Sequence, residues 1–102
     1  MKSLRDPKRK PTHPGELLRK EVLPALKMTQ TELAKRLGVS RLSVSELLLE
    51  KRTLSPDMAI RVGRLTNTTP ESWLRMQEAL DLWELERQPK RYEDIEPLRV
   101  AA

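Results

Sequence analysis

The sequence is poor in the residues that most enzymes use for catalysis. Its 102 residues include no cysteine, which excludes a disulfide, a thiolate nucleophile and a cysteine-ligated zinc site. With one histidine and three glycines, it has neither a convergent set of catalytic groups nor a glycine-rich phosphate-binding loop. We therefore expect no enzyme activity, and no cofactor, metal ion or small-molecule ligand.

Long apolar runs are absent as well. No segment approaches the roughly 20 apolar residues that cross a bilayer, and the basic N-terminus lacks the apolar stretch of a secretory signal. These features predict a cytoplasmic protein that does not bind a membrane. Only three residues are aromatic, so aliphatic side chains and methionine must fill the core, as is typical of a small helical bundle.

Positive charge, in contrast, is in excess. The net charge of +5 favours a polyanionic partner, because neutralising phosphates releases condensed counterions, although many basic proteins bind no nucleic acid. Residues 1–13 have a net charge of +4 and residues 28–53 of +2, whereas residues 68–87 have a net charge of −3. We expect the first two regions to face phosphate and the third to face something else.

Capping residues and prolines divide the chain into helices. Five segments begin with such a residue and carry an apolar period, and they are predicted as helices at residues 14–23, 29–37, 41–49, 56–66 and 70–87. The prediction is an all-α, five-helix domain over residues 13–87. A flexible basic arm (1–12) precedes it, and a tail (88–102) follows that could form a short strand or a docked segment.

The segment from Thr29 to Leu49 has the spacing of a helix-turn-helix. Thr29 and Glu32 form a capping box, Ala34 is small enough for a close helix crossing, and Gly38 tolerates the positive φ of the turn. Ser40 can then cap a second helix with an apolar face. This combination predicts sequence-specific binding to double-stranded DNA.

Nine residues of this region are predicted to contact DNA: Thr29, Gln30, Ser40, Arg41, Leu42, Ser43, Ser45, Lys51 and Arg52. The start of the second helix of such a motif enters the major groove, where Arg41 can bond guanine and Leu42 can contact a thymine methyl. Thr29 and Gln30 can hold a phosphate at a helix N-terminus. The alternatives are a plain cap for Thr29, phosphate or water contacts for the serines, a solvated or phosphate-bound Arg41, and a solvated turn at residues 51 and 52.

Motifs on both sides of the helix-turn-helix resemble those of a known family, the HigA antitoxins of bacterial toxin–antitoxin modules. The matching motifs are His13 to Glu16, Gly38 to Arg41, Leu54 to Arg61, Pro70 to Leu74 and Asp81 to Trp83. The resemblance implies a lambda-repressor-like (XRE) DNA-binding domain. It also implies a homodimer that represses its own operon and neutralises a HigB-like, mRNA-cleaving ribonuclease toxin of the RelE type.

One departure from the family pattern falls at the end of the recognition helix. The family often has Asn-Gly where this chain has Leu49-Glu50, so the usual helix stop is in question. His13 is expected to start the first helix rather than to bind a metal, because one imidazole beside one carboxylate gives too few ligands.

The fifth predicted helix carries two apolar sets. Trp73, Met76, Leu80 and Trp83 recur at helical spacing and are predicted to face the core. Leu74, Leu82 and Leu85 project elsewhere among Glu78, Asp81 and Glu84, where they could serve a dimer or a basic toxin.

Other functions stay open on the sequence alone. The chain could be an XRE regulator without a toxin, or an adaptor that keeps the fold but has lost DNA binding. The arm could be a disordered tail, a minor-groove or phosphate-binding arm, or a toxin-binding segment.

Overall fold

The computed structural model describes residues 8–99, and in this range it contains helices and no strand. We number the five helices α1 (residues 14–26), α2 (Gln30–Leu37), α3 (Arg41–Leu48), α4 (Pro56–Thr66) and α5 (Pro70–Glu86). A short 3-10 turn, Pro89–Arg91, follows α5. The predicted all-α, five-helix architecture is confirmed. None of the described helices is long and apolar enough to cross a membrane.

The first helix runs past the proline that was predicted to end it. Its middle section, Leu18–Val22, is a π-helical turn in which the N–H of Leu23 donates to the carbonyl of Leu18, five residues back. The wider turn accommodates Pro24, which has no N–H to donate and would clash in a regular α-helix. Helical structure therefore continues to Leu26, and the chain leaves it at Lys27 with φ 52°.

The start of α1 is fixed by a cap and by a close approach. His13 is buried, and its Nδ1 accepts a hydrogen bond of 2.9 Å from the backbone N–H of Gly15, so His13 is the helix cap. A Cβ on Gly15 would lie 1.9 Å from the carbonyl oxygen of Leu47, which leaves no room for any side chain. Glycine at this position therefore lets α1 and α3 cross in contact.

The core is mainly aliphatic and is shared by all five helices. Most of its members are under 5% exposed: Leu18, Leu33, Ala34, Leu37, Val44, Leu47, Leu48, Leu54, Ala59, Val62, Trp73 and Leu80. Of the stripe predicted on α5, Trp73 and Leu80 are buried, whereas Met76 and Trp83 are half-buried. Leu74 was predicted to project elsewhere, and that was wrong, because it packs against the core.

The C-terminal tail neither forms a strand nor docks within residues 88–99. Ile95 is 72% exposed and Leu98 90%, and apart from the 3-10 turn the segment has no regular structure. The strand prediction was wrong because a lone strand needs a sheet edge to pair with, and the described fold offers none. Val100, part of that prediction, lies outside the described residues.

The predicted basic arm is described only from residue 8. Residues 8–12 are not helical, and residues 9–12 line a shallow cavity together with Met76 and Ala79 of α5. Residues 1–7 lie outside the described part of the chain, so the flexibility of the arm stays a prediction.

Candidate nucleic-acid interface

The helix-turn-helix is built by capping at its start and by a left-handed residue at its turn. Thr29 Oγ1 accepts from the N–H of Glu32 at 3.1 Å, as the capping box requires. The reciprocal half of the box was wrong: the Glu32 carboxylate accepts instead from Arg36, one turn further along α2, at 3.2 Å. Gly38 takes φ 71°, and the N–H of Val39 donates to the carbonyl of Ala34 at 3.1 Å.

The recognition helix α3 is capped by Ser40, whose Oγ accepts from the N–H of Ser43 at 3.1 Å. Its apolar face is anchored by Val44, Leu47 and Leu48, each no more than 2% exposed. Arg41 is exposed and Leu42 is 67% exposed, whereas Ser43, Ser45 and Glu46 are half-buried. Arg41 and Leu42 are therefore the side chains of α3 most available to a partner.

The loop after α3 brings one predicted contact onto that helix. Arg52 donates to Ser43 Oγ at 3.1 Å and pairs with Glu46 Oε1 at 3.4 Å. Ser43 Oγ also lies 2.8 Å from Ser40 Oγ, so three of the nine predicted residues form one hydrogen-bonded chain. The other six are not linked to it by any hydrogen bond seen here: Thr29, Gln30, Arg41, Leu42, Ser45 and Lys51.

An arginine from outside the motif contacts each end of α3. At the turn before α3, Arg61 of α4 donates from Nη1 to the carbonyl of Leu37 at 2.8 Å and pairs with Asp57. At the other end, Arg19 of α1 donates to the carbonyl of Leu48 and pairs with Glu50 at 3.4 Å. Helix ends leave carbonyls without intrahelical partners, and these two arginines satisfy some of them.

Sequence analysis missed both arginines and a third residue, Gln77 of α5. Gln77 is 4% exposed; its Oε1 accepts from the N–H of Leu54 at 2.8 Å, and its Nε2 donates to Asp81 at 2.9 Å. A polar residue beside the apolar stripe of α5 was the one available signal. The partners themselves lie more than twenty residues away in sequence, and no local pattern reports such a distance.

Charges near the interface are mostly exposed and paired. The ion pairs are Lys20 with Glu16, Arg36 with Glu32, Arg52 with Glu46, Arg61 with Asp57 and Arg19 with Glu50. The hydrogen bond from Lys20 lowers the pKa of Glu16 below its ordinary value. Within residues 8–99, no group of three or more His, Asp or Glu side chains is arranged to hold a metal ion.

Comparison with known proteins follows from this geometry. Residues 18–74 match the helix-turn-helix family HTH_3. Antitoxin HigA-1 of Vibrio cholerae is 35% identical over 96% of this chain and 93% of its own length. The chain belongs to the helix-turn-helix family that includes the HigA antitoxins. The resemblance read from its motifs is thereby confirmed.

Other members of the family support the fold and point to its ligand. A structure of Pseudomonas aeruginosa antitoxin HigA with the higBA promoter superposes with a TM-score of 0.80 at 38% identity, covering 88% of this chain and all of that one. YbaQ of Escherichia coli strain K12, an uncharacterised HTH-type transcriptional regulator, is 40% identical over 92% of this chain and 83% of its own length. The family is thus one of DNA-binding regulators and antitoxins.

The departure of this chain at Leu49-Glu50 leaves the helix stop in place. Glu50 adopts φ 62°, the left-handed conformation that glycine favours. Its N–H donates to Leu47 at 3.0 Å, and the N–H of Lys51 donates to the carbonyl of Glu46 at 2.9 Å. The two bonds close the end of α3 as a glycine-capped helix would be closed.

Proposed function

We propose that the chain is an antitoxin that represses its own operon. In this proposal a homodimer binds operator DNA through α3 and also neutralises a HigB-like, mRNA-cleaving ribonuclease toxin of the RelE type. The observation that carries the DNA-binding part is the exposed start of α3, Arg41 and Leu42, on a helix-turn-helix whose relative at 38% identity was solved with promoter DNA.

The proposed contacts divide by what they read. Arg41 bonds a guanine edge in the major groove and Leu42 packs on a thymine methyl, because these are the most exposed side chains of α3. Ser40, Ser43 and Ser45 contact base edges or phosphates nearby. Thr29 and Gln30, at the start of α2, and Lys51 and Arg52, after α3, contact the phosphate backbone and set the register.

The proposed toxin surface lies on α5. Leu82 is 59% exposed and Leu85 half-buried, with Glu78 and Glu84 exposed close by in sequence. An RNA-cleaving protein must bind a polyanion and is expected to be basic, so an acidic and apolar surface suits it. The relative named as an antitoxin supports such a partner for this chain.

A repressor without a toxin is the second candidate. It is favoured by YbaQ, a relative described as a transcriptional regulator, whose 40% identity exceeds the 35% of HigA-1. The two functions predict the same DNA interface and differ only at the toxin surface.

Co-purification separates these two functions. The tagged chain is expressed with the product of the gene next to its own, and a stable complex that inhibits that product's RNA cleavage is expected. Charge reversal of Glu78 and Glu84 should weaken the complex while footprints on the shared promoter persist. Footprints without any complex would favour the repressor, and a complex unaffected by the charge reversal would remove α5 as the toxin surface.

DNA contacts are tested by pairing two variants. Arg41→Ala is expected to cost about 1 to 3 kcal/mol at one base pair in each half-site, whereas Lys51→Ala weakens all sequences alike and lowers the salt dependence. Anisotropy titrations with single-base operator variants at several salt concentrations measure both effects. Uniform weakening by Arg41→Ala would remove it from base readout, and the absence of any sequence preference in the unaltered chain would contradict operator binding.

A further inference from the structure

The loop between α3 and α4 carries two of the proposed phosphate contacts, yet it has no regular structure of its own. Its main chain is held from α5: the N–H of Leu54 donates to Gln77 Oε1 at 2.8 Å. Leu54 is 3% exposed and Gln77 4%, so neither group can exchange this bond for water without opening the core. The loop that carries Lys51 and Arg52 is therefore anchored next to them.

The orientation of Gln77 is fixed by a second bond. Its Nε2 donates to Asp81 Oδ1 at 2.9 Å, one turn further along α5. A flipped amide would place its oxygen against the carboxylate and its nitrogen against the N–H of Leu54, and both contacts would be repulsive. Asp81 therefore keeps the oxygen of Gln77 aimed at Leu54.

Two residues before Leu54, the anchored loop returns Arg52 to the recognition helix. There Arg52 donates to Ser43 at 3.1 Å and pairs with Glu46 at 3.4 Å. Glu46 is an acidic residue on a helix that is to approach a polyanion, so its unpaired carboxylate would repel phosphate. Pairing with Arg52 neutralises that charge.

We propose that Gln77 is a positioning residue for operator binding, acting through the Leu54 N–H on the loop that carries Lys51 and Arg52. The inference rests on the proposed DNA-binding function and assigns part of it to α5. Without the Gln77 bond the loop is free to move, Lys51 loses its register with the phosphate backbone, and Arg52 leaves Glu46 unneutralised.

The test exchanges the partners of the buried bond. Gln77→Glu keeps an acceptor for Leu54 but sets two carboxylates against each other, whereas Gln77→Glu with Asp81→Asn restores a donor, the Asn amide, facing the new carboxylate. The probe is a labelled duplex of the region upstream of the chain's own gene. Its Kd is measured with the full chain by anisotropy at several salt concentrations, beside the melting temperature.

Gln77→Glu is expected to raise Kd about tenfold. It should also lower the slope of log Kd against log salt by about 0.9, the value for one lost phosphate contact. The double variant is expected to restore both quantities. The matched control is Glu86→Gln, an acid-to-amide change on an exposed residue of α5 that takes no part in this bond, and it should alter neither.

The inference is overturned if Gln77→Glu lowers the melting temperature but leaves the Kd and salt slope of the folded protein unchanged, or if the double variant restores stability and not binding. Arg41→Ala is titrated in parallel. If Arg41→Ala abolishes base preference while the Gln77 variants bind normally, only the positioning role fails. If the unaltered chain shows no preference for its upstream region, the proposed function fails with it.

Discussion

The two ends of the recognition helix are held in the same way by different residues. Before α3 the chain turns at Gly38, φ 71°, and after α3 it turns at Glu50, φ 62°. An arginine from a neighbouring helix reaches a carbonyl at each end, Arg61 at the first and Arg19 at the second. Because glycine adopts this conformation freely and glutamate does not, the first turn is relaxed and the second is strained.

The difference shows where the position of α3 is determined. At Gly38 the local sequence already prefers the turn, so the turn would persist with few outside contacts. At Glu50 the preference is against the turn, and packing from α1 has to maintain it. Gly15 of α1 lies against the carbonyl of Leu47, and Arg19 bonds the carbonyl of Leu48. The C-terminal end of α3 thus depends on α1.

Gly15→Ala should break that dependence and has the largest expected effect. A Cβ would lie 1.9 Å from the Leu47 carbonyl oxygen, which is backbone and cannot move aside alone, so α1 must shift from α3. Overpacking of this kind costs about 3 kcal/mol in the free energy of unfolding, measured by urea denaturation.

Gly63→Ala is the matched control for this change. The nearest atom to its new Cβ is the carbonyl oxygen of Thr68, at 3.0 Å rather than 1.9 Å. A smaller loss of stability is expected there, since a shift of a few tenths of an ångström relieves the contact. Equal losses at Gly15 and Gly63 would mean that the close approach of α1 to α3 is unimportant.

Gly38→Ala tests the relaxed end and has a smaller expected effect. Space is not limiting, because the nearest atom to a new Cβ is Arg61 Nη1 at 3.2 Å, the end of a flexible side chain. The left-handed backbone alone should therefore destabilise the fold by about 1 to 2 kcal/mol. Gly38→Asn should cost less, because asparagine tolerates this conformation. Equal costs for the two variants in urea titrations would point to crowding rather than to φ.

The same contrast explains what the sequence could predict. Caps act within three residues, so the starts of four helices were readable at Thr29, Ser40, Ser55 and Thr69, and each of these side chains accepts a bond from the N–H three residues on. The end of α1 was not readable, because the π-turn that admits Pro24 has no marker in the sequence.

Contacts between distant segments were equally hidden. The bonds of Arg19, Arg61 and Gln77 join residues 29, 24 and 23 positions apart, and each exists only because the helices pack as they do. The candidate DNA-contacting residues could be named from the motif. The residues that hold the recognition helix and its loop in place could not.

Glu50→Gly sharpens the comparison with the smallest expected effect, and in the opposite direction. Glycine removes the cost of the left-handed conformation, and the ion pair that is lost, Arg19 with Glu50, has both side chains more than a third exposed. Such a pair contributes little in water. We therefore expect the free energy of unfolding to rise by about 0.5 to 1 kcal/mol.

Glu50→Ala separates the backbone from the ion pair. Alanine loses the same contact with Arg19 but keeps the unfavourable φ, so it should be no more stable than the unaltered chain and about 1 kcal/mol less stable than Glu50→Gly. Urea titrations of both variants measure that difference directly. If the two are equally stable, the turn after α3 is not strained, and the two ends of the recognition helix differ only in their sequence.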